Sequence, residues 1–144
     1  MQIKPSMQQW LTVISRSMPP HGVLYVGAGS GAQAIALCSQ LEAPAALFVE
    51  ADESLATRLS AAVEGRSNWG VQNTLLADTD EEEMFHVASS QNESGLIEPE
   101  KLTGLWRNLQ RRESRRVRAC TVDQLLETSG EPPDTFTWAI VDCL

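Results

Sequence analysis

The chain has 144 residues, enough for one domain around a single hydrophobic core. At 42% hydrophobic and 21% charged residues, its composition is that of a soluble globular protein, without internal repeats or low-complexity tracts. The formal net charge of -8 argues against a general nucleic-acid binder, which needs a basic surface to meet phosphates, but leaves a small anionic substrate open.

In chain order, Met7 to Met18 places apolar residues at 7, 10, 11, 14 and 18, one stripe along a helix. Pro19-Pro20-His21-Gly22 ends it, because proline cannot continue a helix and glycine resets the chain. Val23 to Val26 is an unbroken apolar run, suited to a strand buried on both faces in a parallel sheet. The glycine-rich turn Gly27 to Gly31 follows, then a helix with Ala34, Ile35, Cys38 and Leu41 on one side. Ala45 to Val49 predicts a second buried strand. Asp52 or Ser54 can cap the next helix, whose stripe is Leu55, Leu59, Ala62 and Val63. Val71 to Leu76 predicts a third strand, so the first half spells β-α-β-α-β.

Asp78 to Glu83 then predicts a solvated acidic turn, Met84 to Ala88 an added strand, and Ser89 to Gly95 a polar loop. Leu102 to Arg112 predicts a helix, Val117 to Val122 a short strand, and Val122 to Leu126 the start of a short helix. Pro132-Pro133 is a stop, and Phe136 to Val141 predicts a fourth buried core strand. The expected fold is α/β, a Rossmann-like, doubly wound and mostly parallel sheet with helices on both faces. Residues 1–22 form an N-terminal helix and turn, and 23–144 the N-terminal part of the Rossmann-like domain, truncated after that fourth strand.

Cys38, Cys120 and Cys143 are odd in number, far apart and form no Cys-x-x-Cys pair. Neither a disulfide framework nor a zinc site is expected, and a reduced, cytoplasmic setting is. Trp10 to Ile14 is too short and polar for a signal-peptide core, and no apolar run approaches the ~20 residues that span a bilayer.

The chemistry concentrates at Gly27-Ala-Gly-Ser-Gly31. Glycines there allow a tight turn and close approach of a ligand, and free N–H groups at the following helix offer donors. Glu50 ends the second strand, where a carboxylate can accept both ribose hydroxyls of an adenosine. Asp78, past the third strand, reads either as the adenine edge or as one more acid in a solvated turn. Asp142 ends the fourth strand, on the side where open parallel sheets bind ligands. His21 and His86 have no partner at metal-ligand spacing, and no Ser-His-Asp order or activated cysteine is visible. Arg107, Arg111, Arg112, Arg115, Arg116 and Arg118 read as a solvated helix face, or as a clamp for an anionic substrate. Trp106 reads as a core residue rather than a stacking platform.

Four segments together resemble the FkbM-type class I methyltransferases, over roughly residues 23 to 142. They are Val26-Gly-Ala-Gly-Ser-Gly31; Phe48-Val-Glu-Ala-Asp52; Leu76-Ala-Asp78 leading to Phe85-His-Val-Ala-Ser89 and Asn92-Glu-Ser-Gly95; and Val117 to Leu126 leading to Trp138-Ala-Ile-Val-Asp142. The first two are common to many methyltransferases, and the order of the last two points to this family. The resemblance implies S-adenosylmethionine as cofactor and O-methylation of a small molecule or sugar. It implies that Gly27, Ala28, Gly29 and Gly31 face the methionine part and that Glu50 binds the ribose. Asp78 would lie near adenine, Asp142 match the family's strand-end acid, and Asn92 and Ser94 flank the substrate. Tyr25 stands where many class I methyltransferases carry an acid, and Ile140 where this family often has lysine. Two alternatives accompany this reading. Gly27-x-Gly29-x-x-Ala32 also satisfies the dinucleotide pattern of an NAD-dependent oxidoreductase. A degenerate domain kept for assembly, pairing as a homodimer through a sheet edge, is the other.

Overall fold

A computed structural model describes residues 6–132 and 134–143 of the chain. Residues 1–5 of the N-terminal segment, Pro133 of the proline stop and Leu144 lie outside the described residues. The core is a parallel four-stranded sheet. Strand β1 (Val23–Val26) sits between β2 (Ala46–Glu50) and β7 (Trp138–Val141), and β3 (Trp69–Asn73) flanks β2, giving the order β3-β2-β1-β7. The register pairs Tyr25 with Phe48 on one side and with Ile140 on the other. The two central strands are the continuous apolar runs, as burial on both faces requires.

Helices cover both faces of this sheet. On one face Val23, Tyr25, Ala46 and Phe48 pack against Ala34, Leu37 and Cys38 of α2 (Ala32–Gln40) and against Leu59 and Val63 of α3 (Glu53–Val63). On the other, Leu24, Leu47 and Val49 meet Leu125 of α4 (Val122–Ser129). The fold is therefore α/β, Rossmann-like and mostly parallel. Helix α1 (Met7–Ser17) opens with a capping box between Ser6 and Gln9, and only its Leu11 packs on the core. Met7, Trp10, Ile14 and Met18, the rest of the predicted stripe, are exposed.

The fourth core strand, expected to be buried over Phe136 to Val141, is instead an edge strand from Trp138 to Val141 whose residues are half-buried or exposed, because no further strand covers it among the described residues. Three further expectations are corrected. First, Val71 to Leu76 is not one strand. The chain pairs with β2 as far as Asn73, then changes partner: β4 (Leu75–Leu76) runs parallel to β6 (Arg111–Cys120) in a second sheet, which β5 (Glu82–Ala88) completes in the order β4-β6-β5. Thr74 makes the step, its N–H donating to the Glu50 carbonyl at 3.2 Å.

Second, Leu102 to Arg112 is not a helix. A single 3-10 turn (Pro99–Leu102) leads into irregular turns, and from Arg111 the chain is strand. The apolar spacing imitates a helix, but Leu102 and Leu109 bury against Ala88 while Leu105 and Trp106 face outward. Strand β5 (Glu82–Ala88) offers an edge, and β6 pairs antiparallel to it with Arg115, Val117 and Ala119 on the more buried side, a period of two. The short strand predicted from Val117 is thus the end of a longer one that stops at Cys120, where Thr121 caps α4.

Third, the arginines from 111 to 118 lie on a strand, not a helix face. Arg111 pairs with Glu100 at 2.9 Å, Arg115 with Asp52 at 3.7 Å and Arg116 with Glu82 at 3.9 Å. No helix among the described residues is long and apolar enough to cross a membrane.

Candidate functional site

The carboxyl ends of β1, β2 and β7 open into a cleft of about 600 Å³. Its floor is the turn after β1. Gly27 has φ +79°, and a Cβ there would collide with the Asp142 carbonyl, so only glycine lets this loop lie against the end of β7. Gly31, at φ +95°, starts α2, and a Cβ would sit 2.5 Å from the Leu59 side chain. The N–H groups of Gly27 and Ala28 donate to the Val49 carbonyl at 2.9 and 3.1 Å, which ties the loop to β2.

Glu50 faces this loop and is 8% exposed. One carboxylate oxygen accepts from the Gly29 N–H at 2.7 Å and the other from the Asp52 N–H at 2.8 Å. Burial raises its pKa above the usual glutamate value, and the two N–H groups offset part of that rise. Each oxygen keeps a lone pair for a hydroxyl in the cleft. Asp52 is the cap of α3. Burial disfavours its charge, but the Ser54 hydroxyl, the N–H groups of Leu55 and Ser54, and Arg115 outweigh that and hold its carboxyl below the usual range.

Tyr25 is 2% exposed, and its hydroxyl donates to Asp142 at 3.1 Å. Burial first, then the Asp142 charge, keeps the phenol protonated far above its ordinary range. Cys143 also lines the cleft; partial desolvation there and the charges of Glu50 and Asp142 push its thiol pKa up, away from a thiolate.

The 3-10 turn Gln91–Glu93 and the residues after it form the opposite wall. Asn92 reaches toward Gly29, and Gln91 bonds to the Ser54 hydroxyl at 3.3 Å, which pins this wall to α3. The Ser94 hydroxyl accepts from the Ala88 N–H at 3.0 Å.

The fold thus brings Gly27, Ala28, Gly29, Gly31, Glu50, Asp142, Asn92 and Ser94 to one cleft. It does not bring Asp78, which is exposed in the acidic turn and lines no part of it. Sequence reading missed Tyr25 as the partner of Asp142, and it placed Trp106 in the core. Trp106 is 36% exposed and lines the cleft. A tyrosine inside an otherwise aliphatic strand run was the available signal for the first; it pairs with Ile140, two residues before the strand-end acid.

Every ionisable side chain lining the cleft is an acid, a phenol or a thiol: Glu50, Glu93, Asp142, Tyr25 and Cys143. Among the described residues no lysine, arginine or histidine lines it. Among the described residues no group of three or more His, Cys, Asp or Glu side chains is arranged to hold a metal ion. No protein-family model matches the chain, and comparison with curated proteins gives no match either.

Proposed function

We propose that the chain is an S-adenosylmethionine-dependent methyltransferase, acting on a hydroxyl of a small molecule or sugar in the cytoplasm. The observation that carries the reading is the acid-only lining of a cleft whose floor is a glycine turn facing a buried carboxylate. S-adenosylmethionine carries a sulfonium and an ammonium, and both are favoured by Glu50, Glu93 and Asp142. A dinucleotide would bring a pyrophosphate to the same acids, with no cation among the described residues lining the cleft to offset them. The resemblance of four sequence segments to the FkbM-type enzymes supports the same reading.

The residues fit the cofactor. Glu50 would accept the ribose hydroxyls, and the Gly27–Gly31 turn would lie along the methionine part. When bound, the cofactor supplies a methyl group already activated on sulfur. The protein's part is then to orient the acceptor hydroxyl and exclude water. Asn92 and Ser94, on the wall facing Gly29, are suited to that.

A second reading, a domain kept for assembly, is favoured by Tyr25, which stands in place of the usual acid and engages Asp142. Strand β7 lies at a sheet edge, with Val141 70% exposed, and could pair two copies as a homodimer. Thermal-shift measurements with S-adenosylhomocysteine and with NAD separate these readings. Stabilisation by S-adenosylhomocysteine alone is expected. Stabilisation by NAD alone would make the chain a dinucleotide binder, and a stable oligomer that binds neither would make it an assembly domain.

A further inference from the structure

We propose that Trp106 and Arg107 form the acceptor subsite of this cleft, for a ring-bearing hydroxyl compound that carries an anionic group. The inference rests on the cofactor reading above and names the substrate class for the same site. Beside the main cleft lies a second depression of about 310 Å³, lined by Ser89, Ser90, Trp106, Arg107, Asn108 and Leu109. Trp106 is the residue common to both cavities, so it stands between them.

The segment that presents it is held in place. Leu102 and Leu109 are buried against Ala88, the Trp106 N–H donates to the Leu102 carbonyl at 3.0 Å, and the Leu109 N–H donates to the Trp106 carbonyl at 3.0 Å. Anchored on both sides, the turn still leaves its largest side chain 36% exposed. An indole presented on a turn anchored in this way can serve as a platform for a flat ring.

Arg107 supplies the charge. Arg111, Arg115 and Arg116 each face an acid, whereas Arg107, Arg112 and Arg118 make no ion pair and no side-chain hydrogen bond among the described residues; of these three only Arg107 lines the depression. Its guanidinium suits a carboxylate or phosphate. The side chains of Ser90 and Asn108 also have no hydrogen-bond partner among the described residues, which leaves them for hydroxyls. The charge pattern sets the direction of binding. The main cleft is acidic and repels an anion, so the anionic end lies toward Arg107 and the ring, stacked on Trp106, points its hydroxyl back into the cleft.

Amide and indole NMR spectra of the full chain test this. The four tryptophans give four indole N–H signals, and W106F identifies the relevant one. The probes are 4-hydroxybenzoate, glucuronate and glucose 6-phosphate, with phenol and glucose as neutral counterparts, all in the presence of S-adenosylhomocysteine. At least one anionic probe is expected to saturate the Trp106 signal at a concentration at least fivefold below its neutral counterpart. R107Q is expected to abolish that preference. The aromatic and sugar arms then tell which ring is preferred, and the phosphate arm which anion. A Trp106 signal unmoved by every probe overturns the proposal, as does an anion preference that survives R107Q. The Gly29 amide reports the cofactor independently. If S-adenosylhomocysteine moves Gly29 while no probe moves Trp106, the subsite alone is wrong. If Gly29 does not move, the cofactor reading falls and this assignment falls with it.

Discussion

The Gly29 N–H and the Glu50 carboxylate meet at 2.7 Å, and this bond joins the turn after β1 to the end of β2. The carboxylate that would bind a ribose is thus positioned by the loop that would carry the rest of the cofactor. The second bond, from the Asp52 N–H at 2.8 Å, fixes its other oxygen and ties it to the start of α3. A buried carboxylate held at both oxygens is aimed before any ligand arrives, which lowers the ordering cost of binding.

Burial of Glu50 makes stability depend on pH in a defined direction. A carboxyl whose pKa is raised in the folded state above its ordinary 4.5 binds its proton more tightly folded than unfolded. Its contribution therefore falls as pH rises from 4.5 through the raised value, and the cost of the buried charge persists at neutral pH. E50Q is expected to remove that part of the slope. The glutamine amide also sets an NH2 group against an N–H donor, a loss that does not vary with pH. Denaturant melts of both proteins at several pH values check this, and the measured quantity is the difference in slope.

Tyr25 is the one tyrosine in the chain, so tyrosinate absorbance reports it alone. An ordinary phenol titrates near 10.0, but burial and the charge of Asp142 hold this one protonated well above that value. No tyrosinate signal is expected at pH 10 to 11 in the folded protein. The unfolded chain binds fewer protons there, so stability falls as pH rises past 10, and ionisation coincides with unfolding. Ionisation near 10 with the fold intact would mean that the phenol is not buried against Asp142.

Gly27 and Gly65 both have positive φ, +79° and +85°, but differ in surroundings. Nothing lies within 4 Å of a Cβ at Gly65, whereas one at Gly27 meets the Asp142 backbone. G65A is expected to cost the conformational strain alone, roughly 1–2 kcal/mol. G27A is expected to cost more than G65A and, unlike it, to impair cofactor binding, because the loop must leave β7. Paired thermal melts and S-adenosylhomocysteine titrations of the two variants provide the comparison.

The parts of the fold set by burial on both faces were legible in the sequence. Val23 to Val26 and Ala45 to Val49 could hardly be anything but central strands, and the glycine turn and Glu50 follow from them. Choices of partner were not legible. Leu75 and Leu76 continue the apolar pattern of the third strand, and nothing local says that they pair with Ala119 and Cys120 instead. Leu102 to Arg112 has helical spacing, yet the free edge of β5 recruits the chain from Arg111 onward. That tertiary choice moved the arginines onto a strand and Trp106 to the rim of the cleft. The solvated turn was one of the two readings open for Asp78, and the sequence did not decide between them; the bond from Tyr25 to Asp142 depends on how β1 and β7 pair.

The central claim is that Glu50 and the glycine turn hold S-adenosylmethionine. Calorimetric titration of the cofactor into the native chain and into E50A tests it most directly. One site per chain is expected, with affinity reduced roughly 10- to 100-fold in E50A, since hydrogen bonds to a charged group contribute about 1.5–3 kcal/mol. Absence of binding to the native chain, or equal affinity in both proteins, would contradict the account.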